Sequence, residues 1–199
     1  MQCSTNGWIW RTGLEQGTGG TFSASQRAIL EAALSIVCRS GGMNLTIDAV
    51  AAQSGFSKGG VLYNFKSKNL LICGMVRYLT HQFDAEVALA RLRHQDTDSP
   101  TLSAMIDVTE RWLNEQQTVS RAVLVTSVQT PSLIEPFVDL MQGYRTQIAA
   151  ESADFTRAMV VLSALDGLHF CDAHGVSLMS QDERRAVLNW MRNLLKPKD

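Results

Sequence analysis

Between residues 46 and 68 the chain places three helix starts and a glycine turn, and this stretch restricts the fold more than any other. Thr46, Ser57 and Ser67 each precede a helix-forming run. A hydroxyl at such a position accepts a hydrogen bond from a backbone N–H that the first helical turn leaves unpaired. Ser54-Gly55 interrupts the first run, and Gly55 is able to take the positive φ that a tight turn uses. The spacing predicts a helix from Thr46 to Ala52, the turn Gln53-Ser54-Gly55-Phe56, a helix over 58–64, and a longer helix from Ser67 to about Leu92. Val50, Ala51, Phe56, Val61 and Leu62 are the apolar positions that tie the two short helices together. Two short helices meeting at a tight turn have the form of a helix-turn-helix.

The flanking sequence is helical as well. From Ser25, the residues Ile29, Leu30, Ala33, Leu34 and Val37 recur at three- and four-residue spacing, and Gly41-Gly42 closes that helix. His94 to Pro100 is polar and turn-rich and reads as a linker. Beyond it, helices are predicted over 102–116, 120–129, 132–150, 154–172 and 182–195, punctuated by Pro131 and Gly175. No run alternates in the manner of a strand, so the expected fold is all-α. Residues 1–22 have no period and read as a flexible arm, 23–70 as a three-helix unit, and 71–199 as a larger helical domain.

Composition narrows the class. At 45% hydrophobic residues the chain is too apolar for disorder, and no run of eighteen apolar residues is present to span a membrane. Cys3, Cys38, Cys73 and Cys171 form no CxxC pair, and the N-terminus lacks a secretory pattern, so a reducing cytoplasm is expected. The net charge of −1 conceals an asymmetry. Residues 1–80 hold seven basic and three acidic side chains, whereas the other 119 hold eleven and sixteen. The positive surplus thus lies on the half that carries the helix-turn-helix.

The second short helix begins Ser57-Lys58-Gly59-Gly60. Two glycines near a helix start cost roughly 1 kcal/mol each relative to alanine. They provide a surface without side chains that can approach another backbone or a base edge. Lys58, Tyr63, Asn64, Lys66 and Lys68 surround it as potential phosphate contacts, and the N–H groups at the capped helix starts add to them. A slim helix tip flanked by phosphate clamps suits the major groove of DNA.

These residues also carry a resemblance. Arg27 to Ala33, then Leu45-Thr46-Ile47, Val50-Ala51, Ser54-Gly55 and Ser57 through Lys68, in that order and spacing, resemble the DNA-binding domain of TetR/AcrR-type repressors over about residues 25–75. The resemblance implies a homodimer that binds a palindromic operator and has a C-terminal helical domain for ligand binding and dimerisation. It also implies release of the operator by a small-molecule ligand. Carried over by position, Thr46 and Tyr63 resemble backbone-phosphate contacts, and Lys68 the phosphate-binding lysine that opens the fourth helix. Ser57, Lys58, Gly59 and Gly60 lie at the reading tip. Asn64 departs from the family's usual histidine yet can still donate to a phosphate.

In the C-terminal half, Met105, Trp112, Phe137, Met141, Met159 and Phe170 are large apolar residues suited to a pocket for a hydrophobic or amphipathic effector. Asp107, Glu110 or Asp166 would favour a cation if buried there, and His169 lies one turn from Asp166. Asp166, His169, Cys171, Asp172 and His174 leave two further readings open. One is a metal- or redox-responsive regulator of the same fold, and the other an enzyme using Asp166 and His169. No nucleophile elbow or phosphate loop appears, so neither catalysis nor a cofactor is expected. Val161, Leu162, Leu165 and Leu168, with Ala186, Val187, Trp190 and Leu194, read as apolar stripes for a four-helix dimer interface.

Overall fold

The computed structural model describes residues 22–40, 44–115 and 131–196. Eight α-helices and one 3-10 turn form all the regular structure among these residues. They are α1 (Ala24–Ser40), α2 (Ile47–Ser54), α3 (Lys58–Asn64), α4 (Lys68–Arg91), α5 (Pro100–Glu115), the 3-10 turn Pro131–Ile134, α6 (Glu135–Glu151), α7 (Phe155–Ala173) and α8 (Gln181–Leu194). The fold is all-α. Three expectations, the 1–22 arm apart from Phe22, the Gly41-Gly42 stop and the 120–129 helix, lie outside the described residues.

The helix starts follow their caps. Ser23 and Gln26 exchange hydrogen bonds of 3.1 and 3.0 Å ahead of α1. The Thr46, Ser57 and Ser67 hydroxyls accept from the backbone N–H groups of Ala49, Gly60 and Leu70. Gly55 then closes α2 in the left-handed conformation at φ 77°, as the turn requires. Ser180 and Glu183 form a full capping box on α8.

The apolar stripe of α1 is buried, and with Val50, Ala51 and Val61 it forms the core of the three-helix unit. Phe65, 6% exposed, seals that core from the C-terminal side, where α4 passes. There Gly74 is buried, and a Cβ on it would stand 2.7 Å from Phe65 Cε1 and 3.2 Å from Leu30 Cδ2. Its lack of a side chain lets α4 lie against α1 and the end of α3.

In the C-terminal part α5 is central, packed by α4, α6, α7 and α8. Leu102, Ala104, Met105, Ile106 and Val108 are all buried, as are Thr101, Ser103 and Thr109. The stretch 94–100, expected as a polar linker, is instead a structural junction. Its Asp98 N–H donates to the Leu195 carbonyl at 2.9 Å, and its carboxylate pairs with Arg157 at 2.8 Å. Ser99 is fully buried. Turn chemistry was legible there in the sequence, but these distant partners were not.

Candidate DNA-reading face and ligand cavity

The helix-turn-helix gathers its polar residues on one exposed side. Tyr63 is 86% exposed, an unusual position for a large aromatic ring unless something stacks on or bonds to it. A Cβ on Gly59 would meet only Ser57 Oγ at 3.9 Å, so no packing constraint demands glycine, and the start of α3 is bare. Gly60 is tighter, with Ser57 Oγ at 3.3 Å and the Phe56 ring at 3.6 Å. Thr46 and Ser57 each use an oxygen lone pair for capping, and their O–H groups stay available as donors.

Two of the side chains already have partners. Lys58 Nζ lies 3.0 Å from Asp48 Oδ1, with both side chains mostly exposed. An exposed pair of this kind is worth under about 1 kcal/mol, so a phosphate or a base edge can displace it. Asn64 Nδ2 donates to the Gly60 carbonyl at 2.9 Å, which turns the amide onto its own helix and leaves one N–H for another acceptor. Lys66 is exposed and Lys68 half-buried at the start of α4. Phe65 faces the core and belongs to packing.

A second feature lies between α4, α5, α6 and α7: a cavity of about 580 Å³. Its wall includes Met105, Trp112, Phe137, Met141, Asp166 and His169. Phe170 lines it too, while Met159 does not and instead packs partly buried against the core. Sequence reasoning missed the α4 contribution of Val76, Leu79, Thr80 and Phe83. Their helical spacing marked a buried face, but which helix would lie opposite, and at what distance, was not encoded locally. Phe83 stands edge-on to Trp112 at 5.1 Å between ring centres and to His169 at 6.2 Å.

Asp166 and His169 share the cavity but are not hydrogen-bonded to each other. His169 Nε2 pairs with Thr109 Oγ1 at 3.0 Å, and burial holds its imidazole down at about 4. Burial among apolar atoms pushes the Asp166 carboxyl up from the ordinary carboxylate range. Asp107 and Glu110 are withdrawn from any ligand because Arg192 on α8 binds both, and His94 adds a contact to Asp107 at 2.8 Å. Among the described residues no three His, Cys, Asp or Glu side chains converge as a metal would require. Cys73 is buried, Cys38 donates its thiol to the Leu34 carbonyl, and His174 bonds the Phe170 carbonyl within its own helix.

The stripes expected at a dimer interface divide between two roles. Val161, Leu162 and Leu165 are buried in the protein's own core, as are Leu188 and Met191. Of the expected positions Trp190 on α8 is 60% exposed, and outside them Val160 on α7 is 59% exposed, as Phe155 and Phe170 on the same helix also are in part. Ala164, Leu168, Val187 and Leu194 are partly buried and pack against that same core.

The family profile of the tetracyclin repressor-like C-terminal domain matches residues 85–196, more than half of the chain. The chain belongs to the TetR family. Solved structures share the regulator's fold. The multidrug binding protein EbrR complexed with malachite green is 22% identical over 88% of this chain and 100% of that one, with a TM-score of 0.67. A TetR-family member from Streptomyces coelicolor A3 is 20% identical, with coverages of 88% and 100% and a TM-score of 0.68. A transcriptional regulator from Rhodococcus sp. Rha1 is 21% identical, with coverages of 86% and 95% and a TM-score of 0.69. Among curated proteins none matches by sequence. At these identities the solved structures speak to the TetR fold alone. Among the described residues of this regulator, no helix is long and apolar enough to cross a membrane.

Proposed function

We propose that this regulator is a ligand-responsive repressor: a cytoplasmic homodimer that binds a palindromic operator and leaves it when a small hydrophobic or amphipathic effector fills the cavity. The observation that carries the reading is the course of α4. Its first turn bears Lys68, Gly74 abuts Phe65 and Leu30 of the three-helix unit, and Val76, Leu79, Thr80 and Phe83 then line the cavity. One rigid helix therefore touches both sites. An effector that fits better when α4 tilts shifts the population toward the tilted state, which alters the spacing of two α3 helices in a dimer. The effect is limited to the effector's differential affinity for the two states.

In this reading residues 23–70 read DNA, and 71–199 bind effector and dimerise. Ser57, Lys58, Gly59 and Gly60 approach base edges, while Thr46, Tyr63, Asn64 and Lys68 hold phosphates. Met105, Trp112, Phe137, Met141, Asp166 and His169 enclose the effector. EbrR, alike in fold, is known complexed with malachite green and with ethidium, and about 580 Å³ gives room for ring systems of that size.

Selection from random DNA, followed by gel-shift titration, tests the proposal. A palindromic fragment should emerge, and Lys68→Ala should weaken binding on every sequence and flatten the log–log salt slope by about one unit. An operator affinity indifferent to the best cavity ligand contradicts the mechanism.

A further inference from the structure

Among the described residues the cavity wall carries one acid, Asp166, and one permanently cationic side chain, Arg145. Most of the wall is hydrocarbon and aromatic ring, yet Asp166 on α7 sets a carboxylate among these groups. No hydrogen bond or ion pair engages that carboxylate among the described residues. Asp166 is exposed to water as a residue, while the partial burial of its carboxyl still raises its pKa. An ionised carboxylate so placed has lost part of its hydration and gained no partner in return.

Among the described residues the other polar groups of the wall do not supply one. His169 is neutral at physiological pH, and its Nε2 is engaged with Thr109 at 3.0 Å. Arg145, the one permanently cationic side chain among the described residues of the wall, holds its guanidinium carbon 5.5 Å from the centre of the Phe155 ring, and Phe155 does not line the cavity. Thr80, Thr109 and Gln142 are uncharged. A ligand that restores a counter-charge to Asp166 therefore gains where a neutral or anionic one does not. The rings nearby favour a particular kind of cation. Aromatic faces attract a charge spread over a weakly hydrated group, since little hydration is lost on entry.

Resting on the effector reading above, we infer that the cavity takes a monovalent, charge-delocalised aromatic cation. The Asp166 carboxylate is its counter-ion, and the Phe83, Trp112 and Phe170 rings are its walls. The charge sets which effectors are accepted, and the volume sets how large they are.

Tetraphenylphosphonium and tetraphenylborate have the same shape and opposite charge, and Nile red is a neutral fluorescent occupant. Full-length protein is loaded with Nile red and titrated with each ion. The phosphonium should displace the dye at least tenfold more effectively than the borate. Asp166→Asn should abolish that preference with dye binding retained, and Asp166→Lys should reverse it, which a merely structural role for Asp166 would not do. Equal displacement by the two ions, a preference for the borate, or a phosphonium preference that survives Asp166→Asn overturns the cation assignment and leaves the effector cavity standing. If neither the dye nor either ion binds, the cation assignment and the effector reading both fall.

Discussion

Gly74 lies where α4 passes closely against Phe65 and Leu30 of the three-helix unit. A methyl group there would press on Phe65 Cε1 at 2.7 Å and Leu30 Cδ2 at 3.2 Å, both belonging to buried side chains. Overpacking a core contact of this kind costs about 1–3 kcal/mol. Gly74→Ala should lower the urea midpoint accordingly, and Phe65→Leu in the same chain should recover part of the loss by removing the clashing ring edge. A midpoint unchanged in Gly74→Ala would show that the ring moves aside freely. His169 offers a residue-scale test by pH. Burial holds its imidazole at about 4 against an ordinary 6.5, so the unfolded chain binds the proton more tightly. Its contribution to stability is complete above 6.5 and is lost as pH falls toward 4. Between pH 7 and 5 the wild type should lose on the order of 1–2 kcal/mol more than His169→Gln, measured by chemical denaturation. Residue types alone suggested neither effect, because each depends on what another helix places within about 4 Å.

At the scale of elements the helix boundaries were legible because the signals are local. The spacing predicts Ser57 as the cap of a helix over 58–64, and α3 runs Lys58–Asn64 from that cap. Gly55 is the expected turn glycine and holds φ 77°. A side chain that satisfies an N–H three residues away needs no tertiary partner, so spacing suffices. The stretch 94–100 shows the converse. Its polar residues fit a linker until α6, α7 and the end of α8 are in place, after which they are the bonds that join those helices. Glu151 at the end of α6 belongs to the same junction. It accepts from Arg91 at 2.6 Å, from the Thr101 N–H at 2.9 Å and from the Thr101 hydroxyl at 2.9 Å. Glu151→Ala leaves these donors without their acceptor at the meeting of α4, α5 and α6, and should cost about 2–3 kcal/mol in a thermal or urea unfolding experiment. A loss under a few tenths of a kcal/mol would mean that water replaces the carboxylate without penalty.

For the whole molecule, the exposed stripes of α7 and α8 bear on assembly. Val160 and Trp190 are exposed apolar side chains on these two helices, and in the homodimer proposed above they are the surfaces offered for pairing. Trp190→Glu should yield a monomer by light scattering at micromolar concentration, with operator binding lost. Nile red should still enter the cavity, because Trp190 is not on its wall. If the variant remains dimeric, the pairing surface lies elsewhere.

The sequence by itself determined the class of the molecule. Caps, breakers and apolar spacing operate over three or four residues, and together they fixed an all-α chain with a helix-turn-helix near its N-terminus. Tertiary structure decided which apolar residues pack and which enclose space. Met159 and Met141 are alike as residues, yet Met141 meets the cavity and Met159 does not. It also decided which acids stay available: Arg192 binds Asp107 and Glu110, while Asp166 lines the cavity with no ion pair among the described residues. A cavity exists only where several helices fail to close on one another, and that separation is a property of their packing, written in no single segment of the chain.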